Sequence, residues 1–205
     1  MSAPALPSDP TNSTRSSPNI AAADAILHIG SSTFIDAPSI EVWRILTDTS
    51  TWPTWNSFVP RAIIREQPSG ANPNSTVLQV GTKMTFRVRM DPSAQNEQDA
   101  HLTVTELDPP DPDSDKLGRI VWAGDTSCPG SFPAWLLSAE RVHEFKEVEV
   151  EMEGGDTKRM TEVRNWEAQT GYVAYAVKWL YGTVLQGDFE TWVADLKRFL
   201  EERKS

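Results

Sequence analysis

The stretch IDAPSIEVWRILTDTSTWPTWNSFV, residues 35–59, carries the pattern on which the fold turns. Pro38 stands where a helix can begin, and Ile40, Trp43 and Leu46 follow at i, i+3 spacing with Val42 joining Leu46 at i, i+4, the period of a short amphipathic helix. A Thr/Ser-rich break comes next. The segment TWPTWN after it is too short for a full helix, but Pro53 suits the start of one further turn. Two short helices therefore meet at a joint, with Trp43, Trp52 and Trp55 crowded around it.

Upstream, AILHIGSSTFI places Leu27, Ile29 and Ser31 on one face and Ile26, His28 and Gly30 on the other, which predicts a first strand. Downstream, six β-rich segments are separated by Pro, Gly, Asp and Asn clusters: VPRAIIRE, TKMTFRVRM, AHLTVTEL, GRIVWAG, AERVHEFKEVEVEM and KRMTEVRNWEA. They predict an antiparallel meander. Its cleanest alternation buries Met84, Phe86, Val88 and Met90 and wets Lys83, Thr85, Arg87 and Arg89. From about Tyr172 to Glu202, Tyr175, Trp179, Val184, Phe189, Trp192, Val193, Leu196, Phe199 and Leu200 recur at helical spacing, predicting one long helix. Gly182 and Gly187 interrupt it, so a bend or close packing is expected there.

Residues 1–24 are Pro, Ser and Ala with almost no large apolar side chains, and are expected to form a disordered tail. Residues 25–205 are expected to fold as one domain, since 205 residues with 39% hydrophobic side chains can bury a sizeable core. A formal net charge of −10 disfavours nucleic acid and anionic membrane surfaces as partners. No apolar run reaches the roughly 18 residues of a membrane span, and no secretory leader opens the chain, so a cytoplasmic protein without an integral membrane segment is expected. The single cysteine, Cys128, lacks a cationic neighbour in sequence and is read as structural.

The order of strand, two short helices, six strands and a long C-terminal helix resembles the START-like superfamily, which includes the birch-pollen-allergen fold, and within it the SRPBCC polyketide cyclase/dehydrase and lipid-transport group. The resemblance covers about residues 25–203. It rests on the opening stretch, on TVTELDPP before IVWAG, on AERVHEFKEV, and on TEVRNWEAQTG leading into the long helix. It implies an α+β helix-grip fold, in which a seven-stranded antiparallel sheet wraps around the C-terminal helix and encloses an apolar ligand cavity.

Within that frame Trp43, Trp52 and Trp55 are expected at the cavity mouth, with the competing reading that they face the core or anchor the joint. Phe86, Val88, Trp122, Tyr175 and Trp179 would supply further apolar lining. Strand alternation puts Arg141, His143 and Phe145 on one face of their strand, and in the next strand groups Thr161, Val163, Asn165 and Glu167 on one face. Arg141, His143, Asn165 and Glu167 would then form a polar cluster, His143 and Glu167 exchanging protons while Arg141 and Asn165 orient a substrate. The competing reading is a structural Arg141–Glu167 pair beside a satisfied inner-face histidine. Val148, Val150 and Met152 read as inward, a parity opposite to Phe145, so a bulge near Lys146 or Glu147 is expected.

His28 and His101 are far from one another and from any Cys or His at ligand spacing, so no metal is expected. The common nucleotide, phosphate, hydrolase and metalloprotease signatures are absent, and no cofactor is implied. Two functions remain. One is binding of a hydrophobic small molecule such as a lipid, quinone or polyketide; the alternative is a cofactor-free polyketide cyclase or dehydratase. The sequence leaves the oligomeric state open.

Overall fold

The computed structural model describes residues 15–90, 97–114 and 116–203. Seven strands form one antiparallel sheet: β1 (Leu27–Ile35), β2 (Arg61–Glu66), β3 (Lys83–Val88), β4 (Gln98–Asp108), β5 (Gly118–Gly124), β6 (Ser138–Glu151) and β7 (Thr157–Thr170). Their spatial order is β1-β7-β6-β5-β4-β3-β2. The first two strands therefore sit at opposite edges, and the chain between them crosses the whole width of the sheet. Helix α1 (Ser39–Thr47) and a 3-10 segment (Thr49–Thr54) make that crossing, and helix α2 (Tyr172–Glu202) closes the inner face. This is the expected helix-grip architecture.

The crossing explains the crowded tryptophans. A chain that passes between a curved sheet and a helix must fill the gap from its own side chains, and wide stiff rings do this at low entropic cost. Trp52 is wholly buried, its ring centroid 5.2 Å from both Phe86 and Trp192 and 6.2 Å from both Trp55 and Trp122. Trp55 packs on Trp192 and Phe199 of α2, and Trp43 on Phe145 of β6. Polar contacts pin the joint: the Ser57 backbone N–H donates to Asp195 Oδ2 at 2.9 Å, and the Val59 N–H to Asn56 Oδ1 at 2.7 Å.

Pro38 occupies the N-cap of α1 and offers no side-chain cap. Glu147 of β6 supplies the missing acceptor, taking hydrogen bonds from the Ser39 N–H at 2.9 Å and its hydroxyl at 3.1 Å, a carboxylate where the helix dipole favours one. This placement overturns the expected bulge. β6 and β7 pair in unbroken register from Ser138↔Thr170 to Glu151↔Thr157, so Glu147 keeps the inward parity of Phe145 while Val148 and Val150 share the outer face with Val142. Register breaks fall elsewhere, between Ile64 and Glu66 and between Val104 and Glu106.

Residues 1–14 of the expected tail lie outside the described residues. Residues 15–24 are packed on the outer face of the sheet, over the buried cluster of Val121, Val142 and Trp166. The Arg15 guanidinium stands 5.5 Å above the Trp166 ring, Ile20 is buried, and Glu140 accepts the Asn19 backbone N–H at 2.9 Å.

Gly171, between β7 and α2, is required by its conformation. Its φ is +98°, and a Cβ there would lie 2.6 Å from the Leu136 carbonyl oxygen. Gly182 and Gly187 differ: a Cβ at either would meet nothing within 4 Å, so close packing does not account for them.

Candidate functional site

A cavity of about 430 Å³ lies between the sheet and the first half of α2. Phe86 and Val88 of β3, Ala100 and Leu102 of β4 and Trp122 of β5 form its apolar floor. Val177, Tyr181 and Leu185, one helical turn apart, roof it, while Thr126, Ser131 and Phe132 belong to the loop at its rim. Phe86, Val88 and Trp122 are the expected apolar lining residues that reach it.

Tyr175 and Trp179 do not. They are 63% and 84% exposed, because the cavity-facing stripe of α2 runs through Leu185, Tyr181 and Val177, from whose middle these two side chains are rotated by about 120° and 160°. Trp43, Trp52 and Trp55 are also absent from the mouth. Trp52 and Trp55 fill the far side of the core against the second half of α2, and Trp43 packs on Phe145 of β6, which corrects the expectation that they line the entrance.

Arg141 of β6 and Glu167 of β7 are register partners and both line the cavity. Arg141 Nε donates to Glu167 Oε2 at 2.9 Å, and Nη2 lies 2.9 Å from the same oxygen in the ion pair. The guanidinium also stacks on Phe189 of α2, 4.3 Å from its centroid, which adds a cation–π contact to a desolvated ion pair. Glu167 Oε1 accepts from Gln169 Nε2 at 2.5 Å. Both carboxylate oxygens are thus engaged.

His143 and Asn165 lie on the same inner face, paired in register, but they are not among the cavity-lining residues. The Trp122 ring covers His143 at 4.5 Å and the Trp192 ring at 5.4 Å. Burial, reinforced by the neighbouring Arg141 charge, holds the His143 pKa well below the usual histidine range, so the ring is neutral near pH 7. Neither ring nitrogen, and neither polar atom of the Asn165 side chain, finds a partner among the described residues. His143 therefore stands one aromatic layer away from the position its expected proton-transfer role requires.

Sequence reasoning missed Gln169, Asp188 and Asp125. Gln169 extends the alternation Asn165, Glu167 by one step. Asp188 interrupts the apolar stripe of α2 between Leu185 and Phe189; burial pushes its pKa up to about 6 against the opposing pull of the Arg141 charge. Asp125 stands at the rim. Burial would raise its pKa, but hydrogen bonds from Ser127 and Arg65, the latter at 2.6 Å, outweigh that and hold it at about 2. Among the described residues no cluster of His, Cys, Asp or Glu could hold a metal ion, and no helix is long and apolar enough to cross a membrane.

The comparisons with known proteins agree with this architecture. No family model matches the chain. It is 43% identical over 176 residues to the "Oxopyrrolidines biosynthesis cluster protein O" of Penicillium oxalicum, a match covering 85% of this chain and 86% of that protein. Among solved structures, a hypothetical protein of Helicobacter pylori has a TM-score of 0.57 at 15% identity, covering 84% of this chain and 86% of that one. The di-domain ARO/CYC StfQ from the steffimycin biosynthetic pathway has a TM-score of 0.54 at 14% identity, covering 89% of this chain and 53% of that one. At such identities the structural likeness is one of fold.

Proposed function

Since the chain belongs to the family of the Oxopyrrolidines biosynthesis cluster protein O, we propose that it serves a small-molecule biosynthetic pathway by binding a hydrophobic, polyketide-like compound in its cavity. The observation that carries this reading is the cavity itself: about 430 Å³, floored by Phe86, Leu102 and Trp122, with the hydrogen-bonded Arg141–Glu167–Gln169 group in its wall. Apolar walls supply affinity and a few convergent polar groups supply orientation. Residues 25–205 constitute the ligand-binding domain in this reading, a member of the SRPBCC group. The relative's name and the aromatase/cyclase fold neighbour support the biosynthetic setting.

A second reading, a cofactor-free cyclase or dehydratase, is favoured by one observation. Asp188 has a pKa raised to about 6 and lies within the field of Arg141, so it is a carboxyl able to exchange protons near neutral pH. In that reading Arg141 holds the developing enolate, and Asp188, which like His143 does not line the cavity, acts on it through the field it shares with Arg141.

The test is mass spectrometry of small molecules released from the full-length protein purified from a producing host. An apolar compound released in stoichiometric amount supports the binding reading; a protein that releases nothing and takes up no apolar dye overturns it. Chemical conversion of the released compound by the intact protein, lost in Asp188→Asn, would establish the enzymatic reading.

A further inference from the structure

The Arg141–Glu167–Gln169 chain ends in two unsatisfied atoms. Arg141 uses Nε and Nη2 on Glu167, and its remaining nitrogen, Nη1, is buried without a partner among the described residues. Gln169 spends its amide nitrogen on Glu167, which fixes the orientation of the amide and leaves Oε1 buried and equally without a partner. The two residues are only 8% and 6% exposed, and both line the cavity. A buried donor and a buried acceptor, held on either side of one carboxylate, are costly to leave unmade.

We infer that this cavity recognises a neutral secondary amide held in a ring, a lactam, whose carbonyl oxygen accepts from Arg141 Nη1 while its N–H donates to Gln169 Oε1. The inference rests on the proposed reading of the cavity as a ligand site and adds the chemical class of the ligand. A ring forces the amide C=O and N–H to the same side, as one donor and one acceptor in a common wall require. Charge argues against a carboxylate. Glu167 already matches the Arg141 charge, Asp188 adds a second acid nearby, and an anionic oxygen facing Gln169 Oε1 would meet a lone pair with no proton between them. A ketone or lactone satisfies Arg141 but leaves Gln169 Oε1 unpaired, and a site built to bond an N–H discriminates strongly against an analogue lacking one.

The experiment is calorimetric titration of the full-length protein with three ligands of equal chain length: a γ-lactam bearing an octyl group, the corresponding γ-lactone, and the N-methylated lactam. The lactam should bind about tenfold or more tightly than either of the others. This comparison uses the unaltered protein and so does not depend on a variant folding. Gln169→Met should then abolish the preference while retaining affinity for the lactone. Equal affinities for lactam and lactone, or a preference that survives Gln169→Met, would overturn the inference. Uptake of the neutral dye Nile red separates the two readings. Dye bound without lactam preference defeats the lactam alone, whereas a cavity that takes up neither dye nor any of the three compounds defeats the cavity as a ligand site and the lactam with it.

Discussion

The rings of Trp122 and His143 lie 4.5 Å apart, and through this contact a residue that lines the cavity seals one that does not. A histidine kept neutral by burial makes the fold sensitive to acid. The unfolded chain binds a proton near pH 6.5 that the native state refuses, so native stability falls as pH drops below that value. His143→Leu removes the refused proton. In denaturant titrations its stability relative to the unaltered protein should improve by about 1.4 kcal/mol for each pH unit below 6.5. A constant difference between pH 4.5 and 7 would show that His143 titrates normally.

Asp188 works in the opposite direction. Its native pKa of about 6 exceeds the ordinary 3.8, so the native state holds the proton more tightly and loses stability as pH rises between these values. Asp188→Asn should be more stable than the unaltered protein at pH 7 to 8, by at most about 3 kcal/mol, and the gain should vanish below about pH 4. Denaturation midpoints across that range measure it.

Removing one member of the buried ion pair is costlier than removing both. Arg141→Met removes the guanidinium that lies over Phe58, Phe189 and Trp192 and leaves the buried Glu167 without its counter-ion, at an expected cost of about 3 to 5 kcal/mol. Arg141→Met combined with Glu167→Met should recover much of that loss. A double-mutant cycle by chemical denaturation checks this, and additive effects would contradict the pairing.

The glycines of the last segment divide cleanly. Gly171→Ala forces a Cβ against the Leu136 carbonyl at positive φ and should lower stability by about 1 to 3 kcal/mol. Gly182→Ala meets open space inside a helix and should raise it by up to about 1 kcal/mol. The two melting temperatures should move in opposite directions.

These contrasts show which features the sequence exposes. α2 was legible to its ends because apolar residues recur across 31 positions, and the Arg141–Glu167 pairing was legible because both strands alternate without interruption. Periodicity gives the face of an element but not its depth. Nothing local distinguishes His143, roofed by two indoles, from Arg141, open to the cavity two residues earlier. The outer face misled for a related reason: Val148 and Val150 read as inward because an outward valine is expected to meet solvent, yet Val150 is buried there. The role of the tryptophans depends on which edge of the sheet each strand joins, a matter of topology that Trp52 and Trp55 do not encode locally.

That topology leaves two strand edges with unpaired backbone groups, each a template on which a foreign strand could grow. The β1 edge is occupied: the Gln186 side chain of α2 donates to the Gly30 carbonyl at 2.8 Å and accepts the Gly30 N–H at 3.3 Å, and Lys197 donates to the Phe34 carbonyl at 2.7 Å. A glutamine amide stands in for the eighth strand. The β2 edge is defended by other means: it is six residues long, carries Arg61, Arg65 and Glu66, and loses register between Ile64 and Glu66. The open sheet that wraps the cavity is thereby guarded against runaway self-association, by mimicry along one border and by charge and irregularity along the other.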